Sequence, residues 1–510
     1  MLGPSALAAG LCFYGLGSRS IWLDESASIS IASQHGAALG AAMAHDGGNM
    51  IVYYALLHVL IGAFGNGIVV IRAPSAIASA CTVALTSLFA KRFFGNGVAA
   101  ATGLLSAVSL PLVFWGQDAR AYAIMTALVA ASFLAFVTLV EAEPSTRARM
   151  WAFAAYVAAT TLSMYMSFIA VLVVPAQLLA LRFHRRRLWP VLSALALSAL
   201  LCVPLAVLAT GRGAGQLFWV PRPNFSGLAS ALEELTSSGL QPQFALTATS
   251  YALLGLSLIL LTAAGVGAVR AWSRRRDDRA AFAQVLVVCW LVIPFLLALV
   301  ESEVGQSVFV PRNLLISLPA AGIVLALVAS RLPRLKAEGR ANKRTFNLGA
   351  LLVVVLIALR ALQLAPSYGT SPEDWHSAVV HVLARDKPGD CVAFYPSDGR
   401  MAFEYYIGQI PHALRSAPRP VLPTAPWGRV VAYVEDYATL SPAAVAKLTA
   451  SCPRLWFVAS HQGMSTGTAG SVAHWSSYRQ LRAALEARYR FHETTSFGYA
   501  DPVAVELLAR

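Results

Sequence analysis

The sequence predicts an α-helical polytopic membrane protein with a small α/β domain at its C-terminal end, and three observations predict it. Only 13% of the 510 residues are charged and 57% are hydrophobic, with mean hydropathy +0.61. Soluble globular chains carry about 25% charged residues. Eleven apolar runs approach the roughly 20 residues needed to cross a hydrocarbon core about 30 Å thick. The polar connections between these runs alternate in charge, and the pattern stops at residue 364. A net charge of +14 would suggest an anionic partner in a soluble chain, but here its placement carries the information.

The runs are 2–17, 68–90, 97–115, 122–140, 149–165, 166–182, 188–209, 247–269, 281–300, 313–330 and 346–364. The stretch 149–182 is too long for one span and has basic residues at both ends. It reads as a tight hairpin that crosses and returns. Run 2–17 lacks the basic leader and cleavage site of a signal peptide, so it is expected to remain as an anchor. Every second connection is basic: Lys91-Arg92, Arg147/Arg149, RFHRRR at 182–187, RAWSRRRDDR at 270–279 and RLPRLKAEGRANKR at 331–344. These five hold nineteen Lys/Arg against five Asp/Glu. The alternate connections are poorer, with Arg19, Arg120, Arg212, Arg222 and Arg312. The positive-inside rule puts the basic set in the cytoplasm. The N-terminus is then cytoplasmic, and the chain after 364 lies outside.

Residues 1–364 thus form the membrane domain and 365–510 an extracytoplasmic α/β domain. SPEDWHSAVVHVLARDKPGDCVAFYP reads as a helix, a Pro-Gly turn and a short strand. GRVVAYVED and CPRLWFVAS read as strands, and the last 34 residues as a helix–strand pair. The six cysteines show no CxxC or Cys/His cluster, which argues against a metal-thiolate site. Cys12, Cys81, Cys202 and Cys289 lie in apolar runs. Cys391 and Cys452 lie in polar sequence, and form either a disulfide on an oxidising face or two buried thiols.

The first outer segment, 18–67, is long. Residues 26–44 are small and apolar, and NMIVYYALLHVLIGAFG at 49–65 would make a helix only about 25 Å long. A span there would also reverse every later connection. Both stretches are therefore expected along the membrane surface, roofing Asp24 and Glu25 of WLDES. The other outer connections bring Asp118, Arg120 and Tyr122, then the aromatic GQLFWVPRPNF, then Glu301, Glu303 and Arg312 to the same face. Ionisable groups kept near lipid are costly and suggest a functional site. A carboxylate can act as general base toward a hydroxyl, and an arginine can hold a phosphate bidentately. Together they fit sugar transfer from a lipid phosphate carrier. Bland readings compete: Asp24 and Glu25 could favour a helix N-terminus, and Arg72 and Arg312 could snorkel.

Five motifs in order carry a resemblance: WLDE at 22–25, YYALLH at 53–58, IRAPSAIAS at 71–79, WGQDARAYA at 115–123 and VPRNLLISLPA at 310–320. The membrane domain resembles the GT-C superfamily of integral membrane glycosyltransferases, in the branch similar to protein mannosyltransferases and bacterial aminoarabinose transferases. The resemblance implies many spans with interfacial helices in the first outer loop, a polyprenyl-phosphate sugar donor, and inversion at the anomeric carbon. It implies that Asp24 is the catalytic carboxylate, with Glu25 the neighbouring acid. Arg120, Tyr122 and Asp118 match the second-loop motif near the donor phosphate, Arg312 matches a later arginine, and His58 lies in the YYALLH motif. Where many relatives have a proline-rich stretch, this chain has HDGGNM, so Asp46 and Asn49 are either substrate contacts or part of a flexible turn.

The expected activity is transfer of a hexose or pentose, mannose-like above all, to a hydroxyl of a lipid, glycan or protein acceptor. The expected place is the outer face of a bacterial cytoplasmic membrane. No DxD lies near Asp24, so no obligatory metal cofactor is expected, although a divalent metal fits some of the superfamily, and no nucleic acid partner is expected. A transporter or lipid flippase is the alternative, disfavoured because the chain shows no repeated halves; a non-catalytic envelope scaffold is a third reading.

Overall fold

The computed structural model describes residues 2–143, 146–212, 217, 219–274, 278–337, 344–428 and 441–510. The apolar runs are helical because a backbone in lipid must satisfy its own N–H and C=O groups. Run 2–17 is helical over Leu2–Phe13. Runs 68–90 and 97–115 fall largely in Ile68–Ala107, which folds back at Gly95. Gly95 has φ 84 and ψ 178, a conformation open to glycine. Past the turn, Gly103 packs so closely on the first arm that an added Cβ would lie 2.5 Å from Ser87 Oγ.

The stretch 149–182 breaks at Ser167, as the hairpin reading expects. Arg147–Met166 precedes the break, and a 3-10 segment, Phe168–Val173, and a helix, Val174–Ala180, return from it. Leu188–Leu201 and Val203–Arg212 meet at a 45° bend. Tyr122–Glu141, Ala248–Trp272, Arg279–Val304, Pro311–Ser330 and Leu348–Ser367 complete the bundle.

Among the described residues, six helices are long and apolar enough to cross a membrane, or seven counting the bent pair as one span. The difference from eleven has physical causes. Ile68–Ala107 counts once although it folds back at Gly95 into two arms, and the first run ends a turn early. Thr160, Thr161 and Ser163 dilute Arg147–Met166, and the returning arm after Ser167 is irregular. Pro311–Ser330 is the most enclosed, with 83% of its apolar window buried, against 22% for Ala248–Trp272 and Leu348–Ser367. The latter two turn Ile259, Val269 and Leu362 outward. Soluble monomers rarely expose so large an apolar surface, whereas lipid covers it.

The connections sort to two ends, as the charge alternation requires. At one end Glu141 accepts hydrogen bonds from Arg92 Nε at 2.9 Å and Arg279 Nε at 2.6 Å, and Arg182 lies 4.3 Å above the Trp272 ring. The helix Tyr122–Glu141 leads from there to Arg120, about 30 Å away at 1.5 Å per residue. At that second end lie the short helices of the first outer segment, Leu23–Ala32, Ala37–His45 and Ile51–Phe64. The basic connection after Ser330 holds an antiparallel ribbon, β1 (Arg334–Ala337) with β2 (Arg344–Asn347).

Among the described residues the C-terminal domain holds a five-stranded mixed sheet built from β3 (Cys391–Tyr395), β4 (Arg419–Leu422), β5 (Arg454–Ala459), β6 (Arg490–Phe497) and β7 (Val503–Ala509). Its order is β4-β3-β5-β7-β6, parallel through β5 and antiparallel from there. The expected strand GRVVAYVED lies, after Gly428, outside the described residues. The expected final helix–strand pair is a helix, Ala469–Glu486, followed by the β6–β7 hairpin. The domain docks on the first outer segment: Tyr406 Oη accepts from Ile21 N at 2.7 Å, and Ser20 N donates to Ser371 Oγ at 2.9 Å.

Cys391 and Cys452 are disulfide-bonded across a sequence separation of 61. Parallel pairing of β3 with β5 brings them together. Closing a loop of this length is worth about 4 kcal/mol through the unfolded chain's lost entropy. The double variant Cys391→Ser/Cys452→Ser should therefore lower the outer domain's resistance to denaturant and protease. Denaturant unfolding of the purified full chain, with and without reductant, measures the difference.

Candidate active site

The adjacent acids of WLDES diverge because consecutive residues on a helix point about 100° apart. Glu25 turns inward and is 1% exposed, whereas Asp24 turns to a cavity and is 32% exposed. Neither caps the helix: its N-cap is Trp22, with no side-chain cap bond.

Glu25 meets Arg72, whose Nε and Nη2 donate to its two oxygens at 2.7 and 2.6 Å. The remaining Arg72 donors reach the carbonyls of Leu16, Arg19 and Ser20 at 3.1, 3.0 and 3.2 Å. Glu25 Oε1 also accepts from Ala119 N at 2.7 Å. Arg72 therefore does not snorkel, because a complete set of internal acceptors replaces interfacial water. Glu25 touches protein groups and fixes position; the cavity is left to Asp24.

Asp118 is likewise turned inward, its Oδ1 accepting from Trp22 Nε1 at 2.7 Å. Burial, reinforced by the Glu25 charge, pushes its carboxyl up to about 8. It borders the small void beside Glu25 and lines neither of the cavities at Asp24. It braces the Trp22 ring.

Asp24 faces two cations, Arg120 Nη2 at 3.8 Å and Arg312 Nη1 at 3.6 Å. Arg120 is steered by the Asp24 carbonyl at 3.4 Å and Ser28 Oγ at 3.3 Å. Arg312 is framed by the rings of Trp22, Tyr122 and Trp219, whose centroids lie 5.5, 5.8 and 5.0 Å away. It too is held in the site rather than at a lipid interface. Burial pushes the Asp24 carboxyl up, but Arg120, Arg312 and His461 outweigh it and hold it below the usual carboxylate range.

Two cavities meet here. One, of about 340 Å³, is lined by Asp46, Asn49, Arg120, Tyr122 and Phe168. The other, of about 790 Å³, lies against the outer domain and is lined by Glu234, Gln243, His461 and Arg482. Asp24, Trp219, Val310 and Arg312 line both.

The HDGGNM segment is a packed turn rather than a free one. Tyr54 donates to Asp46 Oδ2 at 2.9 Å, and Gly48, at φ 75, would bring a Cβ within 3.1 Å of Leu208. Asn49 Oδ1 is buried at the cavity without a hydrogen-bond partner. His58 is elsewhere: its Nδ1 bonds the Ala32 carbonyl at 2.7 Å and its ring packs on His35, so it ties two short helices together. Glu301 and Glu303 are exposed and line neither cavity.

The sequence reading missed Glu234, Trp219 and His461. Glu234 accepts from Trp115 Nε1 at 2.8 Å, and burial pushes its carboxyl up to about 7. Its signal was an acid pair, Glu233-Glu234, on an otherwise apolar helix, Phe225–Thr236. Trp219 stood in the aromatic outer connection. His461 follows a strand in the distant domain, and no local pattern marks it.

The family model of dolichyl-phosphate-mannose-protein mannosyltransferases matches residues 49–208. ArnT from Cupriavidus metallidurans in the apo state shares the fold at TM-score 0.57, with 14% identity over 99% of this chain and 97% of that one. The same protein bound to undecaprenyl phosphate matches at 0.54, again with 14% identity and 99% and 97% coverage. AglB, an archaeal oligosaccharyltransferase from Archaeoglobus fulgidus in complex with an inhibitory peptide and a dolichol-phosphate, matches at 0.54 with 11% identity, over 96% of this chain and 73% of that one. No curated protein matches the sequence. The chain thus shares the fold of ArnT and AglB over nearly its whole length.

Removing one partner of a buried ion pair costs about 3–5 kcal/mol. Glu25→Gln or Arg72→Ala should therefore sharply lower the yield and thermal stability of detergent-purified protein. Asp24→Asn, at a half-open position, should leave both near wild type. Thermal unfolding of the three variants side by side measures the contrast.

Proposed function

We propose that this chain is a GT-C-type glycosyltransferase of a bacterial cytoplasmic membrane, moving a sugar from a polyprenyl-phosphate donor to an acceptor hydroxyl at the outer face. The observation that carries the reading is Asp24 on the shared wall of two cavities, with Arg120 and Arg312 beside it. The smaller cavity, with its two arginines and the unpartnered Asn49 oxygen, suits the donor's phosphate and sugar. The larger one suits an acceptor held between the bundle and the outer domain. Structures of the same fold with undecaprenyl phosphate and with dolichol-phosphate support the donor class.

In this reading Asp24 takes the proton of the acceptor hydroxyl as its oxygen attacks the anomeric carbon. The bond from that carbon to the phosphate oxygen breaks, and its electron pair leaves on the phosphate. In-line attack inverts the anomeric centre. Arg120 and Arg312 stabilise the departing charge, the contribution expected of donors aimed where charge develops. The sugar is a hexose or pentose, mannose-like above all, and the acceptor a lipid, glycan or protein. The basic end of the bundle faces the cytoplasm, which puts the disulfide-bonded domain on the oxidising side.

Incubating purified protein with labelled polyprenyl-phospho-sugars tests the reading. Asp24→Asn should lower transfer by about 10²–10⁴-fold, the usual contribution of a general base, while the protein still inserts and folds. Full activity in that variant overturns the assignment. Arg120→Ala should chiefly raise the KM for donor.

The pH profile gives a second test. A base works only when ionised, so activity falls as pH drops through the Asp24 pKa. The neighbouring cations hold that pKa low. Removing one in Arg312→Gln lets it rise, and the acid limb of the rate profile should move to higher pH. An unmoved limb counts against Asp24 as the base.

A further inference from the structure

Beside the larger cavity, three side chains from distant parts of the outer chain converge. They are Glu373 at the entry to the domain, His461 just after β5, and Asp501 in the turn between β6 and β7. Each offers one ligand atom, and these atoms lie within 4.8 Å of one another. Among the described residues no other His/Cys/Asp/Glu group of three meets that geometry.

Glu373 is 1% exposed. Its Oε2 is committed, accepting from Trp375 Nε1 at 2.7 Å and from Leu23 N at 3.0 Å. Those bonds fix the carboxylate and leave Oε1 aimed at His461 Nε2, 3.4 Å away, with no hydrogen-bond partner of its own. A buried carboxylate oxygen in that state is costly. The turn carrying Asp501 is fastened to the same place, with Tyr499 N and Ala500 N donating to the Pro372 carbonyl at 2.9 and 3.0 Å. Gly498, at φ 107, permits that approach, since a Cβ there would lie 2.7 Å from the Pro372 oxygen.

We propose that Glu373, His461 and Asp501 bind a divalent metal ion, Zn²⁺ above all. One imidazole nitrogen and two carboxylate oxygens are a borderline donor set of the kind zinc accepts, with water completing the coordination. Zinc bonds of about 2.0–2.2 Å would require the three ligands to draw together slightly. Asp501, exposed on its turn, has the freedom to do so. Metal binding requires the imidazole neutral and both carboxyls ionised, and the two carboxylate charges then balance a divalent ion. Trp375 and Leu23 supply the outer hydrogen bonds that hold a metal-binding carboxylate in place. The ion would latch β5, the β6–β7 turn and the domain entry together, directly above the amide that precedes Asp24. This site is structural, and distinct from the catalytic metal that the missing DxD argues against.

The test is independent of any transferase activity. Tag-free full-length protein in detergent is stripped with chelator and titrated with ZnCl₂, with metal content and thermal unfolding as readouts. Wild type should retain one Zn²⁺ per chain and gain thermal stability from it. His461→Gln and Asp501→Asn, neither of which disturbs the Trp375 and Leu23 bonds, should each weaken binding at least tenfold and lose that gain. Failure of wild type to take up stoichiometric Zn²⁺, or uptake by both variants equal to wild type, overturns the proposal.

Discussion

The ion pair between Arg72 and Glu25 is the constraint on which the site depends. A guanidinium has five N–H groups in one plane, and those of Arg72 are spread over Glu25 and three carbonyls of the segment 16–20. Glu25 in turn holds the amide of Ala119. One buried pair thereby fixes the exit of the first helix, the first turn of Leu23–Ala32 and the loop that carries Arg120. A charge pair placed this deep would be a poor way to gain stability alone, because desolvation offsets much of the attraction. Its return is geometric: three separate stretches of chain are registered against each other within one hydrogen-bonded unit.

That registration explains why the two acids of one motif take opposite roles. With Glu25 committed to Arg72, helix geometry leaves Asp24 pointing away from the core and into the space between Arg120 and Arg312. Asp118 shows the same division on the facing loop, where burial against Trp22 raises its carboxyl while Arg120, two residues on, reaches the cavity. Each loop thus spends one charged residue on position and presents another to the site. Trp22, which bonds Asp118 through its ring nitrogen and flanks Arg312 with its face, links the two loops.

The membrane domain was legible because lipid imposes a strict pattern: apolar runs of set length, and charge bias on alternate connections. The pattern correctly placed the hairpin at 149–182 and sorted the loops to two ends. Hydropathy marked the runs on either side of Gly95 separately, but it could not see that Gly95 folds one arm back on the other or that the arm after Ser167 is wound irregularly. Asp24, Arg120 and Arg312 were legible through ordered motifs. For Arg72 the sequence left snorkelling open, since snorkelling and burial look alike until the acceptors from residues 16–25 are in place. Glu234 left only the signal of an acid pair on an apolar helix, and His461 and the Glu373 cluster left none. His461, Glu373 and Asp501 are brought in by long-range docking of the outer domain, for which no local periodicity exists. The Cys391–Cys452 bond lay between, decided only once β3 and β5 proved to be neighbours.

The electrostatics of the site also set an order of events under the proposed reaction. Two guanidinium groups face one carboxylate, so the cavity wall at Asp24 carries a net positive charge that an anionic phosphate would neutralise. Before such a phosphate arrives, the arginines hold Asp24 ionised but also depress its basicity. A bound phosphate competes for the same guanidinium groups through bidentate, charge-assisted bonds, which loosens their hold on Asp24. Donor binding would thereby strengthen the base that the acceptor needs. The same cations then meet the charge released as the bond to phosphate breaks, when their stabilisation counts most. A site so arranged favours attack by the acceptor once the donor is seated. Trp22, Tyr122 and Trp219 around Arg312 keep that guanidinium aimed at the shared wall throughout.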